Sequence, residues 1–131
     1  MEQTRFVFLL SISLLAFVPL HAQQMNEPDS PCAGVVVTSD LVACLSKAQN
    51  SSEAEMKSFY AAVRKNLSGT EVKQLASAQK LWTQYRDANC SAERSLYGNG
   101  TGASPAYLAC METMARERTK ELRGTYTVRL K

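Results

Sequence analysis

The sequence predicts an all-α fold, an antiparallel three-helix up-down-up bundle closed by two disulfides. Three observations carry this reading. Apolar residues recur at spacings of three and four in three successive stretches, glycine and proline punctuate the boundaries between them, and four cysteines, an even set, are spread over the same region. No repeats or low-complexity runs compete with that pattern.

The first stretch places Leu41, Cys44, Leu45 and Ala48 on one face and continues it with Met56, Phe59, Tyr60, Val63 and Leu67, which predicts one helix over 39–67. Asn50-Ser51-Ser52 interrupts the stripe, as an exposed face or as a kink where Ser52 and Glu55 form a capping box. Ser68-Gly69-Thr70 then reads as a stop and a start, with Gly69 suited to a left-handed conformation and Ser68 or Thr70 to a cap. Val72, Leu75, Ala78/Gln79, Trp82, Tyr85 and Asn89 define a second helix over 71–94. Three glycines, Gly98, Gly100 and Gly102, following Tyr97 demand a loop. Ser104-Pro105 supplies an N-cap and a first-turn proline for the third helix. Its stripe is Leu108, Met111, Ala115, Arg118 and Leu122, and Gly124 is expected to end it. Tyr126, Val128 and Leu130 alternate with polar residues, as in an extended tail or short strand, and Val35-Val36-Val37 suits a short extended piece.

At the N-terminus, Phe6–Leu20 is a run of fifteen uncharged residues followed by Leu20-His21-Ala22. This is the pattern of a secretory signal peptide, and it is too short for a span of roughly 20 residues. The expected organisation is a signal peptide at 1–22, an N-terminal tether at 23–38, a helical domain at 39–124 and a C-terminal tail at 125–131. No membrane span is expected after cleavage, and the product is expected to be periplasmic or secreted.

The sole histidine, His21, would leave with the signal. A Ser-His-Asp triad, a Cys-His pair and the common histidine metal sites are thereby excluded from the mature chain. Cys32, Cys44, Cys90 and Cys110 are separated by 11, 45 and 19 residues, which is unlike the tight knuckles of a zinc site. In an oxidising compartment they are expected as two disulfides. Of the three possible pairings, Cys32–Cys44 with Cys90–Cys110 is favoured because each closes a short local loop, though spacing leaves the others open. No cofactor, no metal and no catalytic residue is expected, and the chain is not read as an enzyme.

In an up-down-up bundle the start of the first helix, the end of the second and the start of the third share one end. Cys44, Cys90, Cys110 and the glycine loop all fall there, so the disulfides would hold the base of the long loop. In the second helix Trp82 and Tyr85 are expected to fill the core. Arg86 would cover them with its stem and pair with a carboxylate or with helix-end carbonyls.

The segment from Ala78 to Cys90, A-Q-K-L-W-T-Q-Y-R-D-A-N-C, resembles the motif Q-x-x-W-x-x-Y-R-D-x-x-C of the LprI-type lysozyme inhibitor family. Gln79, Trp82, Tyr85, Arg86, Asp87 and Cys90 occupy its fixed positions. Cys44, Met56 and Tyr60 resemble the family's first-helix residues, and Cys110, Met114, Arg118 and Leu122 its closing C-x3-L-x3-R-x3-L pattern. The likeness covers roughly Cys32–Arg123. The chain departs from it at Ala115, where members often carry Thr, and at Glu53 and Lys57, where they carry Asp and Asn; it also lacks a lipid-attachment cysteine. The resemblance implies a small helical, disulfide-bonded protein of the cell envelope and, for some members, inhibition of lysozyme.

A protruding loop offering hydroxyls, an amide or a cation can occupy a glycosidase cleft with its two carboxylates. Arg94, Ser95, Tyr97, Asn99 and Ser104 supply those groups on and around the loop and are the expected partner-binding residues. A net charge of +3 opposes encounter with basic lysozymes, with Glu93, Glu112 and Glu117 as local compensation. The other partner class is peptidoglycan or another envelope protein, bound without inhibition. Six basic residues against two acidic ones from Arg116 to Lys131 read as a solvated helix face in which Glu112 pairs with Arg116. Glu93, Glu112, Glu117 and Glu121 all suit exposed positions, and no nucleic-acid partner is expected.

Overall fold

The computed structural model describes residues 25–130. Three helices run in order, α1 over Thr38–Asn66, α2 over Gly69–Ser95 and α3 over Ala103–Tyr126, followed by a single 3-10 turn at Thr127–Arg129. The expected signal peptide lies outside the described residues. Among the described residues there is no strand, and no helix is long and apolar enough to cross a membrane.

The pairings between helices establish the up-down-up order. Ser52 of α1 bonds Glu112 of α3, and Arg123 further along α3 bonds Glu55 further along α1, so these two helices run parallel. Arg86 reaches Glu53 while the earlier Gln79 reaches the later Met56, so α2 runs against α1. The third helix is central: it contributes more buried positions than α1 and α2 together. Its small residues Ala106, Ala109 and Ala115 let its neighbours approach closely.

Burial divides the core by height. Met56, Phe59, Val63, Leu75 and Leu122 fill the end distant from the glycine loop, with Trp82, Tyr126 and Leu130 packed around them. Cys32, Leu41, Leu45 and Ala109 fill the near end, and Cys90, Cys110 and Met111 lie beside them. The disulfides are Cys32–Cys44 and Cys90–Cys110, the local pairing. The first ties the N-terminal turns to α1, and the second ties the end of α2 to the start of α3.

Several elements differ from the sequence reading. α1 passes through Asn50-Ser51-Ser52 without a break. Asn50 and Ser51 face solvent, while Ser52 donates to Glu112 instead of forming a capping box. Residues 25–37 are a series of turns packed on α1: Ser30 accepts from the Cys32 amide at 3.0 Å and donates to the Met25 carbonyl at 2.8 Å, and Cys32 is buried. Ser104 is not the cap of α3. Gly102 is, its carbonyl accepting the Ala106 amide at 3.0 Å, so Ser104 sits inside the first turn and is exposed. Gly124 does not end α3 either. The helix carries on to Tyr126, and the 3-10 turn replaces an extended tail, because this path lays Tyr126 and Leu130 on the core. Gly69 does adopt the left-handed conformation, at φ 53°, as the first residue of α2.

Leu45 and Leu122 are essentially without solvent exposure. Truncating either to Ala is expected to lower the unfolding free energy by about 2–5 kcal/mol in a urea titration. Val128→Ala, at a position 69% exposed, is expected to change it by less than about 0.5 kcal/mol.

Candidate functional site

Between the two ends of the core lies a layer of buried charge built from the second-helix motif. Arg86 is 6% exposed. Its Nη1 donates to Glu53 Oε2 of α1 at 3.0 Å, and its Nε and Nη2 donate to Asp87 Oδ1 at 2.9 and 2.8 Å. Its guanidinium carbon lies 5.2 Å from the centre of the Trp82 ring. Arg118 of α3, also buried, approaches the same ring at 5.7 Å. It donates to Gln79 Oε1 at 3.1 Å and pairs with Glu121 at 2.7 Å. Trp82 therefore offers its π-system to two cations at once, each such contact being worth roughly 0.5–2 kcal/mol according to its desolvation.

The motif residues Gln79, Trp82, Arg86, Asp87 and Arg118 are thus brought together. Tyr85 is not among them. It is 61% exposed, whereas a core position was expected. Successive helical residues point about 100° apart, so Tyr85 and Arg86 cannot both face inward. The inward place goes to the arginine, because Glu53 and the Trp82 ring await it there.

Glu53 is the counter-charge that the sequence reading did not assign. It accepts from Arg86, from Lys57 at 2.9 Å and from Gln49 at 3.2 Å. A shallow cleft of about 440 Å³ beside it, lined in part by Gln49, Lys57 and Arg86, gives it partial access to solvent. Burial alone pushes the Glu53 carboxyl up. The Lys57 hydrogen bond, the charges of Arg86 and Lys57 and the Gln49 hydrogen bond outweigh burial and hold it below its ordinary value.

Glu112 corrects another expectation. It is 3% exposed rather than a solvated helix-face residue. It accepts from Ser52 at 3.0 Å and from Arg116 at 3.1 Å, a partnership that compensates its burial. It is therefore not a surface charge available for steering. The signal was in the spacing, since Glu112 stands four residues after Leu108 and three before Ala115, on the apolar stripe itself. Among the described residues, no group of three His, Cys, Asp or Glu side chains is arranged to hold a metal.

The loop residues lie at the disulfide end. Arg94 and Ser95 belong to the last turn of α2, not to the loop proper. Arg94 is exposed, with its guanidinium 5.9 Å from the Tyr107 ring centre. Ser95 donates to the Ser91 carbonyl at 2.9 Å. Overlapping turns then carry the chain round: the Gly98 amide bonds Ser95, that of Gly100 bonds Tyr97 and that of Ala103 bonds Gly100. Gly98 takes φ 52°, which favours glycine. Tyr97 is half-buried, its ring lying against Gly102 so closely that a Cβ there would meet Cδ1 at 2.5 Å. Asn99 is exposed at the tip, Ser104 is exposed on the far side, and Leu96, which follows α2, is 77% exposed. The Cys90–Cys110 bond spans the base.

Fold and site together define a small disulfide-clamped helical module that presents a short, tightly turned loop at one end. The chain belongs to the family described as lysozyme inhibitor LprI, which it matches over residues 32–122. It is also similar to an uncharacterized protein of Rhizobium meliloti (strain 1021), 26% identical over 127 residues, covering 87% of this chain and 89% of the relative. No solved structure matches the chain.

The charge layer makes stability depend on acid. The contribution of Glu53 is fully present above the ordinary carboxylate range near pH ~4.3 and is lost as pH falls through its depressed folded value. Glu53→Gln is expected to cost about 2–3 kcal/mol at neutral pH and to flatten the acid limb in chemical unfolding followed from pH 7 to about 2. Arg86→Ala, which leaves Glu53 with Lys57 as its one remaining paired cation and opens a cavity beside Trp82, is expected to cost about 3–5 kcal/mol.

Proposed function

We propose that this protein is an exported inhibitor of lysozyme that blocks the glycosidase cleft by protein–protein binding, and that it acts as a binder rather than an enzyme. Family membership over residues 32–122 carries the reading. The disulfides fit an oxidising compartment, the periplasm or the exterior. The contact surface is the loop end, with Arg94, Ser95, Tyr97, Asn99 and Ser104 as its polar groups.

Physical support comes from preorganisation. A loop whose base is cross-linked and whose turns are closed by backbone hydrogen bonds loses little conformational freedom on binding. Arg and Tyr are frequent interface anchors, and Arg94 and Tyr97 stand on either side of the exposed Leu96. A cation entering a cleft that holds two carboxylates meets complementary charge locally, although the net charge of +3 slows approach to a basic enzyme.

The test is a cell-wall lysis assay with the oxidised protein and several lysozyme types. Arg94→Ala combined with Tyr97→Ala is expected to weaken inhibition about tenfold or more, with the helical circular-dichroism signal retained. Gly102→Ala keeps every polar group but displaces the Tyr97 ring, and it is expected to weaken inhibition as well. Undiminished inhibition by both variants would remove the loop from the contact surface.

A further inference from the structure

The chain has five asparagines, and one of them, Asn99, precedes a glycine. That dipeptide sits at the tip of the clamped loop, where Asn99 is exposed. Among the described residues no group hydrogen-bonds the Asn99 side-chain amide, which leaves its carbon open to attack from the adjoining backbone. Gly100 is glycine for a structural reason, since a Cβ there would come within 3.0 Å of the Tyr97 carbonyl oxygen. The turn thus selects the residue whose backbone nitrogen has no side chain to shield it.

The other four asparagines are held differently. Asn50 and Asn89 lie inside helices, where the next amide nitrogen belongs to the helix ladder. Asn66 ends α1 and donates to the Ala62 carbonyl at 2.9 Å, with Leu67 after it. Asn26 donates to the Val35 carbonyl at 3.2 Å and is followed by Glu27.

We propose that Asn99 is a self-modification site, deamidated through attack by the Gly100 backbone nitrogen at a rate set by the turn that holds that nitrogen. The nitrogen loses its proton to base and bonds to Asn99 Cγ. The bond from Cγ to the side-chain nitrogen breaks, and that nitrogen takes up a proton and departs as ammonia. The product is a cyclic succinimide. Water then opens the ring on one side or the other. Cleavage between the Gly100 nitrogen and Cγ gives aspartate, whereas cleavage between that nitrogen and the Asn99 main-chain carbonyl carbon gives isoaspartate. One water is consumed and one ammonia released, with no oxidant or reductant.

The turn acts as the gate. In the ring the Gly100 nitrogen carries no hydrogen, so its bond to the Tyr97 carbonyl, 2.8 Å in the folded loop, must be given up. The folded loop therefore slows the reaction, and local opening releases it. The Tyr97 ring against Gly102 and the Cys90–Cys110 bond at the base keep the turn closed. Either product places a new carboxylate at the tip and lowers the net charge of +3 by one. Isoaspartate also adds a carbon to the main chain, which shifts the register of the overlapping turns. The reaction needs no partner and does not depend on lysozyme inhibition.

Peptide mapping by mass spectrometry, on the purified oxidised protein incubated at mildly alkaline pH, tests it. The peptide carrying Asn99 is expected to gain the mass of an amide-to-acid conversion and to split into aspartate and isoaspartate forms, faster as pH rises. Asn26, Asn50, Asn66 and Asn89 are expected to stay intact over the same period. Gly102→Ala, which displaces the Tyr97 ring, is expected to speed conversion several-fold, and reduction in urea to speed it about tenfold or more. Asn99→Gln, whose longer side chain disfavours the ring, is expected to remove the signal. No conversion in the folded protein while the reduced chain converts would overturn the proposal. So would earlier loss of another asparagine, or equal rates in the folded, Gly102→Ala and reduced proteins.

Discussion

The structure turns on one buried guanidinium. Arg86 lies between the ends of the core, and a cation at that depth persists only when its charge and its donors are matched. Glu53 and Asp87 supply the charge, and the Trp82 face supplies a polarizable wall. Because Glu53 is on α1 and Arg86 on α2, the ion pair fixes how far one helix slides along the other. Arg118 brings α3 into the same arrangement through Trp82 and Gln79. Apolar contacts tolerate repacking, whereas these fixed directions specify register.

That register decides what the loop end looks like. With the heights of α2 and α3 set by the charge layer, Cys90 and Cys110 come within bonding distance, and the connection between them is forced into consecutive tight turns. The Cys32–Cys44 disulfide does similar service for the N-terminal turns, holding them against α1. Within the family motif, Gln79, Trp82, Arg86 and Cys90 face the interior, whereas Tyr85 and Asp87 stand at the surface, and the loop projects beyond the motif at the disulfide-clamped end.

Most of the fold was legible because helical period and glycine punctuation are strong signals in this chain. The three helices and the local disulfide pairing follow from them. What was not legible has a common physical origin: sequence patterns rank residues by polarity, whereas burial here is decided by partners. Tyr85 reads as core and Arg86 as cover, yet the arginine takes the inward place because a carboxylate and an indole face it. Glu112 reads as surface although it stands on the apolar stripe, and its burial is compensated by Ser52, Arg116 and Thr113, which donate to it. Gly124 reads as a stop, yet the packing of Tyr126 and Leu130 carries the helix past it. At the candidate site the residue types around the loop were legible, but the exact extent of α2, which absorbs Arg94 and Ser95, was not.

An NMR titration of the isotope-labelled protein with lysozyme distinguishes the loop end from the buried charge layer as the binding surface. Amide shifts are expected to concentrate between Arg94 and Ser104, while the Trp82 indole and the Arg86 and Arg118 guanidinium signals stay where they are. Shifts centred on Trp82, Arg86 and Glu53, with the loop unperturbed, would contradict it and make the motif itself the binding surface.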